Sequence, residues 1–310
     1  MPNNLTKKEK KNLKIAETSL TKFSVFRVYA NVLTRPSTIP TAYNFLYSVI
    51  KNYLVTQFFQ KWGIFNIPIV HVDHPLDKKI PFTPDKVDIY LDFVDFFLRP
   101  LSMMIKKFGG HQCTKYCNQW FSALQKTYSE AGKMYKHTLS TMERPKYKDS
   151  FSFKIIHALD PHLLCVPSLH IAIVVLCYTF FRKTFKELNI SEQEASKRNM
   201  ELYNEAVEIA ESVLYVKQHS VNCVPAALYM ITKLFPELFT PNDAINFIND
   251  MFLTATTINQ DDIKDIKEHI AFFYERFLLE GSSSDDWREP IIRWITNYEV
   301  DINSKQLTEE

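Results

Sequence analysis

With 310 residues and 46% hydrophobic content, the chain is long enough to bury one large core or two modest ones, which excludes a disordered chain and a disulfide-stapled mini-protein. Its 37 basic and 35 acidic residues leave a formal charge of +2, too balanced to neutralise many phosphates, so no nucleic-acid partner is expected. Five glycines against 24 phenylalanines and 15 tyrosines speak against glycine-rich phosphate loops and turn-dense β architectures and favour long helices.

The N-terminal "MPNNLTKKEKKNLKIAETSL" carries lysines with no apolar run behind them. It reads as a solvated basic lead-in over residues 1–18, not as a secretory signal. In "AYNFLYSVIKNYLVTQFF" apolar residues recur at spacings of three and four, predicting a core-facing amphipathic helix entered after Pro40. Four prolines in "NIPIVHVDHPLDKKIPFTPD" predict an extended connection before a helix that begins near Asp85. The apolar stretch "DIYLDFVDFFLRPLSMM" contains Asp88, Asp92, Asp95 and Arg99, each costing about 2.5–3.5 kcal/mol at a bilayer centre. The clean run from Ile171 to Phe181 is well short of the roughly 20 residues a span needs. A protein that requires no detergent is therefore expected, cytoplasmic or peripheral to a membrane surface.

Another helix is predicted from Gln112 to Met142, ended by "ERPKYKD", which places Arg144 at a helix exit. An apolar helix follows "PSLH" to about Phe185, and a second long one runs to His219, opened by a capping box of Ser191 and Glu194. Pro225 ends or kinks it. Thr240 as N-cap with Pro241 behind it opens a further helix, "DDIKDIKEHIAFFYERFLLE" is amphipathic, and "GSSSDD" is a loop. The expected organisation is all-α, with a main helical domain over 19–235 and a C-terminal helical extension, 236–310, packed on it. Five cysteines, Cys113, Cys117, Cys165, Cys177 and Cys223, suit buried thiols in a reducing compartment, and no disulfide is expected. "HVDH" (His71 to His74) and "HQCTKYC" (His111 to Cys117) lack the paired C-x2-C spacing of a zinc site, so no metal site is expected.

In "CVPSLHIAIVVLCY" His170 sits between a Pro-Ser-Leu turn and an apolar run. A lone histidine there is ordinarily structural, so a functional reading needs partners. His219, in "ESVLYVKQHSVNC", is one: seven residues after Ser212, it would share a helix face with that serine, beside Lys217. Arg144, in "TMERPKYKD", is a fork-shaped donor suited to bidentate phosphate contact, with Lys133 and Lys136 before it. Together these are the parts of a phosphate site.

The order of "KMYKHTLSTMERP", "CVPSLH" and "SVLYVKQH" resembles the three signatures of the type 2 phosphatidic acid phosphatase and vanadium haloperoxidase superfamily. It is most similar to the inositol-phosphoceramide-synthase-like branch, whose Ile-Pro-Phe-x-Pro stretch resembles "IPFTP" here. The resemblance covers roughly residues 79 to 230. It implies a helical bundle of that type and metal-independent phosphatase or phosphotransferase chemistry on a phosphate ester, a phospholipid-type phosphate included. It implies no cofactor, with phosphate or vanadate as an occupant of the site. His219 would attack phosphorus to form a phosphohistidine, and His170 would protonate the leaving alcohol and then activate water. Arg144, Lys136 or Lys133, the backbone N–H groups of Ser168 and Leu169, Ser212 and Lys217 would hold the phosphate. The sequence departs from the pattern at His137, where the lysine is expected, at Val213, and at Cys223, which replaces the aspartate that would orient the nucleophile. Asp160 is the candidate replacement for that orienter. The alternative is an inactive relative that keeps the pocket to recognise a phosphate group.

Overall fold

The computed structural model describes residues 6–147 and 150–298, and within them 70% of the chain is helical and 2% strand, an all-α protein. The last residues of the C-terminal extension and the first five of the lead-in lie outside the described residues. Helix α1 (Lys7–Glu17) opens with a Thr6–Glu9 capping box. The lead-in is more than a solvated tail: Ile15 is buried, and Arg198 and Lys197 donate to the carbonyls of Ile15, Ala16 and Glu17 at the end of α1.

After α2 (Phe26–Leu33) comes one long helix built of α3 (Ile39–Val49), a π-helical stretch Ile50–Val55 and α4 (Thr56–Lys61). The proline-rich connection holds the short strand β1 (Ile69–His71) and leads into α5 (Val87–Leu91) and α6 (Phe93–Phe108). Three of the charges that disqualified this stretch as a span meet one another: Arg99 bonds Asp92, lies 3.9 Å from Asp95 and reaches across to Glu205 at 2.7 Å.

Helix α7 (Gly110–Tyr135) ends earlier than the expected Met142. The chain turns into β2 (Leu139–Thr141), which pairs in parallel with β1 in the register Ile69↔Leu139. Arg144 therefore follows a strand and not a helix. Ser140 also bridges to Leu164, so the segment that leads to His170 lies on the other side of β2. After α8 (Phe151–Leu159) come α9 (Leu169–Glu187), α10 (Glu192–Tyr215) and α11 (Cys223–Leu234). Ser191 caps α10 by position only, because Glu194 pairs with Lys107 and not with the cap. Pro225 lies in the first turn of α11, where a missing N–H costs nothing.

The chain ends in α12 (Pro241–Asp250), opened by the expected Thr240 cap, then α13 (Gln260–Glu280) and α14 (Glu289–Thr296). One apolar core runs from Ile15 to Tyr298. The C-terminal helices join it through Tyr229 against Phe277 and a bond of 2.9 Å between Thr232 and Tyr274. No described helix is long and apolar enough to cross a membrane.

Candidate active site

His170 stands in the first turn of α9, where the N–H groups have no partner within the helix. Ser168 is its N-cap, accepting from the Ile171 N–H at 3.4 Å, and Tyr135 fixes the approach by donating to the Pro167 carbonyl at 2.6 Å. The rings of Tyr90 and Phe93 flank the imidazole at 4.7 and 4.6 Å.

His219 arrives from α10 by a route that separates it from Ser212. The helix stops at Tyr215, and the Val213 carbonyl accepts the N–H groups of both Gln218 and His219. This closure needs a left-handed residue, and Lys217 fills it at φ 55°. A side chain at that φ costs about 1–2 kcal/mol, offset by its ammonium, which donates to the carbonyls of Asp77 and Ile80 at 2.5 Å. Lys217 is thus an anchor, with two of its three ammonium N–H groups spent on carbonyls. Ser212 is likewise spent, donating to the Ile209 carbonyl of its own helix at 2.7 Å. The chain just past His219 is clamped by the buried carboxylate of Asp77, which accepts from the Ser220 hydroxyl at 2.6 Å and the Val221 N–H at 2.8 Å.

The two histidines meet: His219 Nε2 lies 3.3 Å from His170 Nδ1. The other nitrogen of His219, Nδ1, faces the Cys165 carbonyl at 3.2 Å. That carbonyl can only accept, so Nδ1 carries a proton, and in the neutral ring Nε2 presents a lone pair toward His170. The orienting group is thus a backbone carbonyl, and Asp160 does not take that part. Its carboxylate accepts the His162 N–H at 2.9 Å and lies 3.6 Å from Arg144 Nη2, which also donates to the Asp160 carbonyl at 3.1 Å. Arg144 Nε is buried and donates to nothing among the described residues. Burial lowers the Arg144 pKa and Asp160 opposes this, leaving a guanidinium that gains from a second anion.

Burial, and then the charge of His219, hold His170 down at about 3, so its ring is neutral in the empty site. Tyr53, Asp160, His162, Cys165, His170 and His219 enclose a cavity with room for about one water, 10 Å³. Arg144 lines a neighbouring open cleft of about 530 Å³ together with Phe82, Lys78 and Lys217. Lys133 and Lys136 are exposed and border neither space; Lys133 pairs with Glu130 at 2.6 Å. Of the expected residues, then, His170, His219, Asp160 and Leu169 border one cavity, with Ser168 capping the helix beneath and Arg144 tied to Asp160.

Sequence reasoning passed over Tyr53, Tyr90, His162 and Asp77. His162 has φ 62° and an Nε2 lying 2.8 Å from the Gln218 carbonyl, pinning the turn before His219. Its signal was the Asp-Pro-His turn itself. Cys165, His219 and Cys223, all buried, bring three ligand atoms within 4.8 Å of one another. The expectation of no metal site thus meets a donor set of the size that zinc takes in open-coordinate sites. Burial pushes the Cys223 thiol well above its usual range. Compared with protein-family models, curated proteins and solved structures, the chain matches none.

Proposed function

We propose that the chain is a phosphoric monoester hydrolase or phosphotransferase acting through a phosphohistidine on His219. The observation that carries this reading is the 3.3 Å contact of His219 Nε2 with His170 Nδ1 at the mouth of α9, near a guanidinium with an unspent donor. The order of the motifs, which resembles that of the type 2 phosphatidic acid phosphatases, supports it.

A phosphate dianion entering the cavity competes with Asp160 for Arg144 and parts that pair, which widens a space now sized for one water. The dianion also raises the pKa of His170, which takes a proton as it binds. The Nε2 lone pair of His219 forms a bond to phosphorus while the ester P–O bond breaks, and His170 gives its proton to the departing alkoxide. A water then loses a proton to His170, its oxygen bonds to phosphorus, and the P–N bond returns its electron pair to Nε2. The N–H groups of Leu169 and His170 at the helix start, with Arg144, stabilise the equatorial oxygens. The alcohol part of the ester occupies the cleft beside Arg144.

Rapid acid-free quenching of the full chain with 32P-labelled aryl phosphate tests this. Base-stable, acid-labile label on protein, absent from His219→Ala, is expected; turnover without label, or label retained in His219→Ala, would overturn it. Binding of phosphate with no turnover of aryl or alkyl esters would identify a recognition module, and halide oxidation with vanadate a haloperoxidase. The buried donors Cys165, His219 and Cys223 favour one second reading, a metal centre in the same place. Stoichiometric zinc in the purified protein, with activity lost to a chelator, would replace the phosphohistidine scheme by that one.

A further inference from the structure

The helices α2 and α3–α4 each carry an apolar stripe that faces away from the core. Along Ile39–Lys61 the fully buried positions are polar, Ser48, Asn52, Thr56 and Gln57, and the half-buried Ala42, Phe45 and Tyr53 pack on the core, whereas Tyr43, Leu46, Tyr47, Ile50 and Leu54 face outward. On α2 the outward residues are Phe26 at 74% exposure, Tyr29, and Leu33 at 76%. The two helices touch each other, so these stripes lie on adjoining elements. Trp62, 64% exposed, and Ile64 extend the apolar surface past the helix end.

Close polar contacts hold this layer on the protein, beside apolar ones of Phe45 with Phe121 and of Phe45 and Tyr53 with Tyr128. Ser48 and Ser129 share a hydroxyl bond of 2.7 Å, and a methyl group at Gly132 would stand 2.5 Å from the Asn52 side chain. Small-residue contacts of this kind hold helices together where the surroundings are themselves apolar. In water the outer stripes forfeit the gain that burying them would bring.

Charge decides between the media that could cover them. Between Glu17 and Asp73 the sequence has no acidic residue, although the chain has 35, while Lys22, Arg27, Arg35, Lys51 and Lys61 fall there. A second copy of this face would set cations against cations. An anionic bilayer surface would instead meet the lysines with lipid phosphates and carboxylates, admit the aliphatic side chains, and hold Tyr43, Tyr47 and Trp62 at the headgroup level. The length of the helix and its buried Asn52 and Gln57 fit it to lie in that surface, since no described helix suits a crossing.

We propose that the face formed by α2 and α3–α4, from Phe26 to Phe65, is a docking surface for anionic lipid bilayers. The surface is independent of the chemistry proposed for His219, although Tyr53 on the same helix borders that cavity.

The test is flotation of the full chain with phosphatidylcholine vesicles, with and without phosphatidylserine, which needs no turnover. Binding to the phosphatidylserine vesicles is expected, with Trp62 emission shifted to the blue and quenched by brominated lipid, a signal that Trp62→Phe abolishes. The pair Leu46→Glu and Ile50→Glu should weaken binding about tenfold or more. Lys51→Glu with Lys61→Glu should do the same on anionic vesicles alone, at about fivefold per charge removed. Because all four side chains are exposed, the melting temperature should not fall, and Leu46→Ser with Ile50→Ser serves as the milder pair. No flotation with either vesicle, or variants that float as the wild type does, would overturn the proposal. So would a solution dimer that ignores vesicles and dissociates with Leu46→Glu and Ile50→Glu.

Discussion

Helix α9 and the long helix from Ile39 to Lys61 are similar in length and sort their side chains in opposite ways. From Ile171 to Phe181 every residue of α9 is buried, whichever way it points. The outer helix turns Ser48, Asn52 and Gln57 inward and leaves Leu46, Ile50 and Leu54 in solvent. Apolar content alone therefore says nothing about what a helix packs against. Protein on all sides satisfies the first, whereas the outer stripe of the second would gain from an apolar medium outside the protein. The first also carries the histidine pair at its mouth, so on the two proposals made above the regions divide as chemistry and address.

The sharpest way to break that division is to remove one function and read the other. His219→Ala should lower turnover of a soluble aryl phosphate by about 10⁴-fold or more, as nucleophile deletions do elsewhere. Flotation with anionic vesicles should be unchanged. Leu46→Glu with Ile50→Glu should show the reverse, with aryl phosphate turnover within twofold of wild type. Loss of both properties in either variant would mean that the regions act as one.

Stability separates them next. Leu176→Ala empties a fully buried site in α9 and should cost about 2–5 kcal/mol. Leu46→Ala, on the outer helix, should fall within about 0.5 kcal/mol of wild type. Urea unfolding without lipid measures both, and a large cost at Leu46 would place that side chain in a protein core.

The same contrast explains how much could be read from the sequence. Helix α9 and the start of α12 were legible because their signals are local: an apolar run in one case, Thr240 before Pro241 in the other. The pairing of His170 with His219 was legible because each lies in a recognisable motif. The end of α7 was not, because Leu139 and Met142 continue its apolar spacing while belonging to β2 and beyond, and β2 is specified by pairing with the distant β1. Arg144 was displaced with it. The anchoring part of Lys217 was not legible because a left-handed helix stop is ordinarily signalled by glycine, and the carbonyls that hold this lysine come from Asp77 and Ile80. Asp160 was misread because the group that orients His219 is a backbone carbonyl, which no residue type announces. The outer helix does face the core through Ala42, Phe45 and Tyr53, as its periodicity predicts, but the outward stripe of Leu46, Ile50 and Leu54 was not legible, because these residues continue the same apolar spacing.

Within the chemical region, Arg144 should matter less than His219. Arg144→Ala removes a charged donor from the phosphate and leaves Asp160 without its partner. Calorimetric affinity for phosphate or vanadate should fall by about 1.5–3 kcal/mol. Unchanged affinity would mean that the guanidinium serves only to tie Asp160 to the strand that precedes it.

Acid should sharpen the comparison by the smallest margin. His170 titrates at about 3 in the folded protein, against 6.5 for a free imidazole. Between those values the unfolded chain binds the proton and the folded one does not, so stability is complete above about pH 6.5 and declines as pH falls toward 3. His170→Gln removes that proton uptake. From about pH 7 to pH 4.5 the wild type should lose about 1–2 kcal/mol more than the variant, allowing for partial access of water to the ring. The segment from Phe26 to Phe65 has neither an acidic residue nor a histidine, so its own charge is constant over the same range. Vesicle flotation at pH 5 should then persist while the urea midpoint falls. Equal acid losses in wild type and His170→Gln would mean that this ring is hydrated and titrates as a free imidazole does.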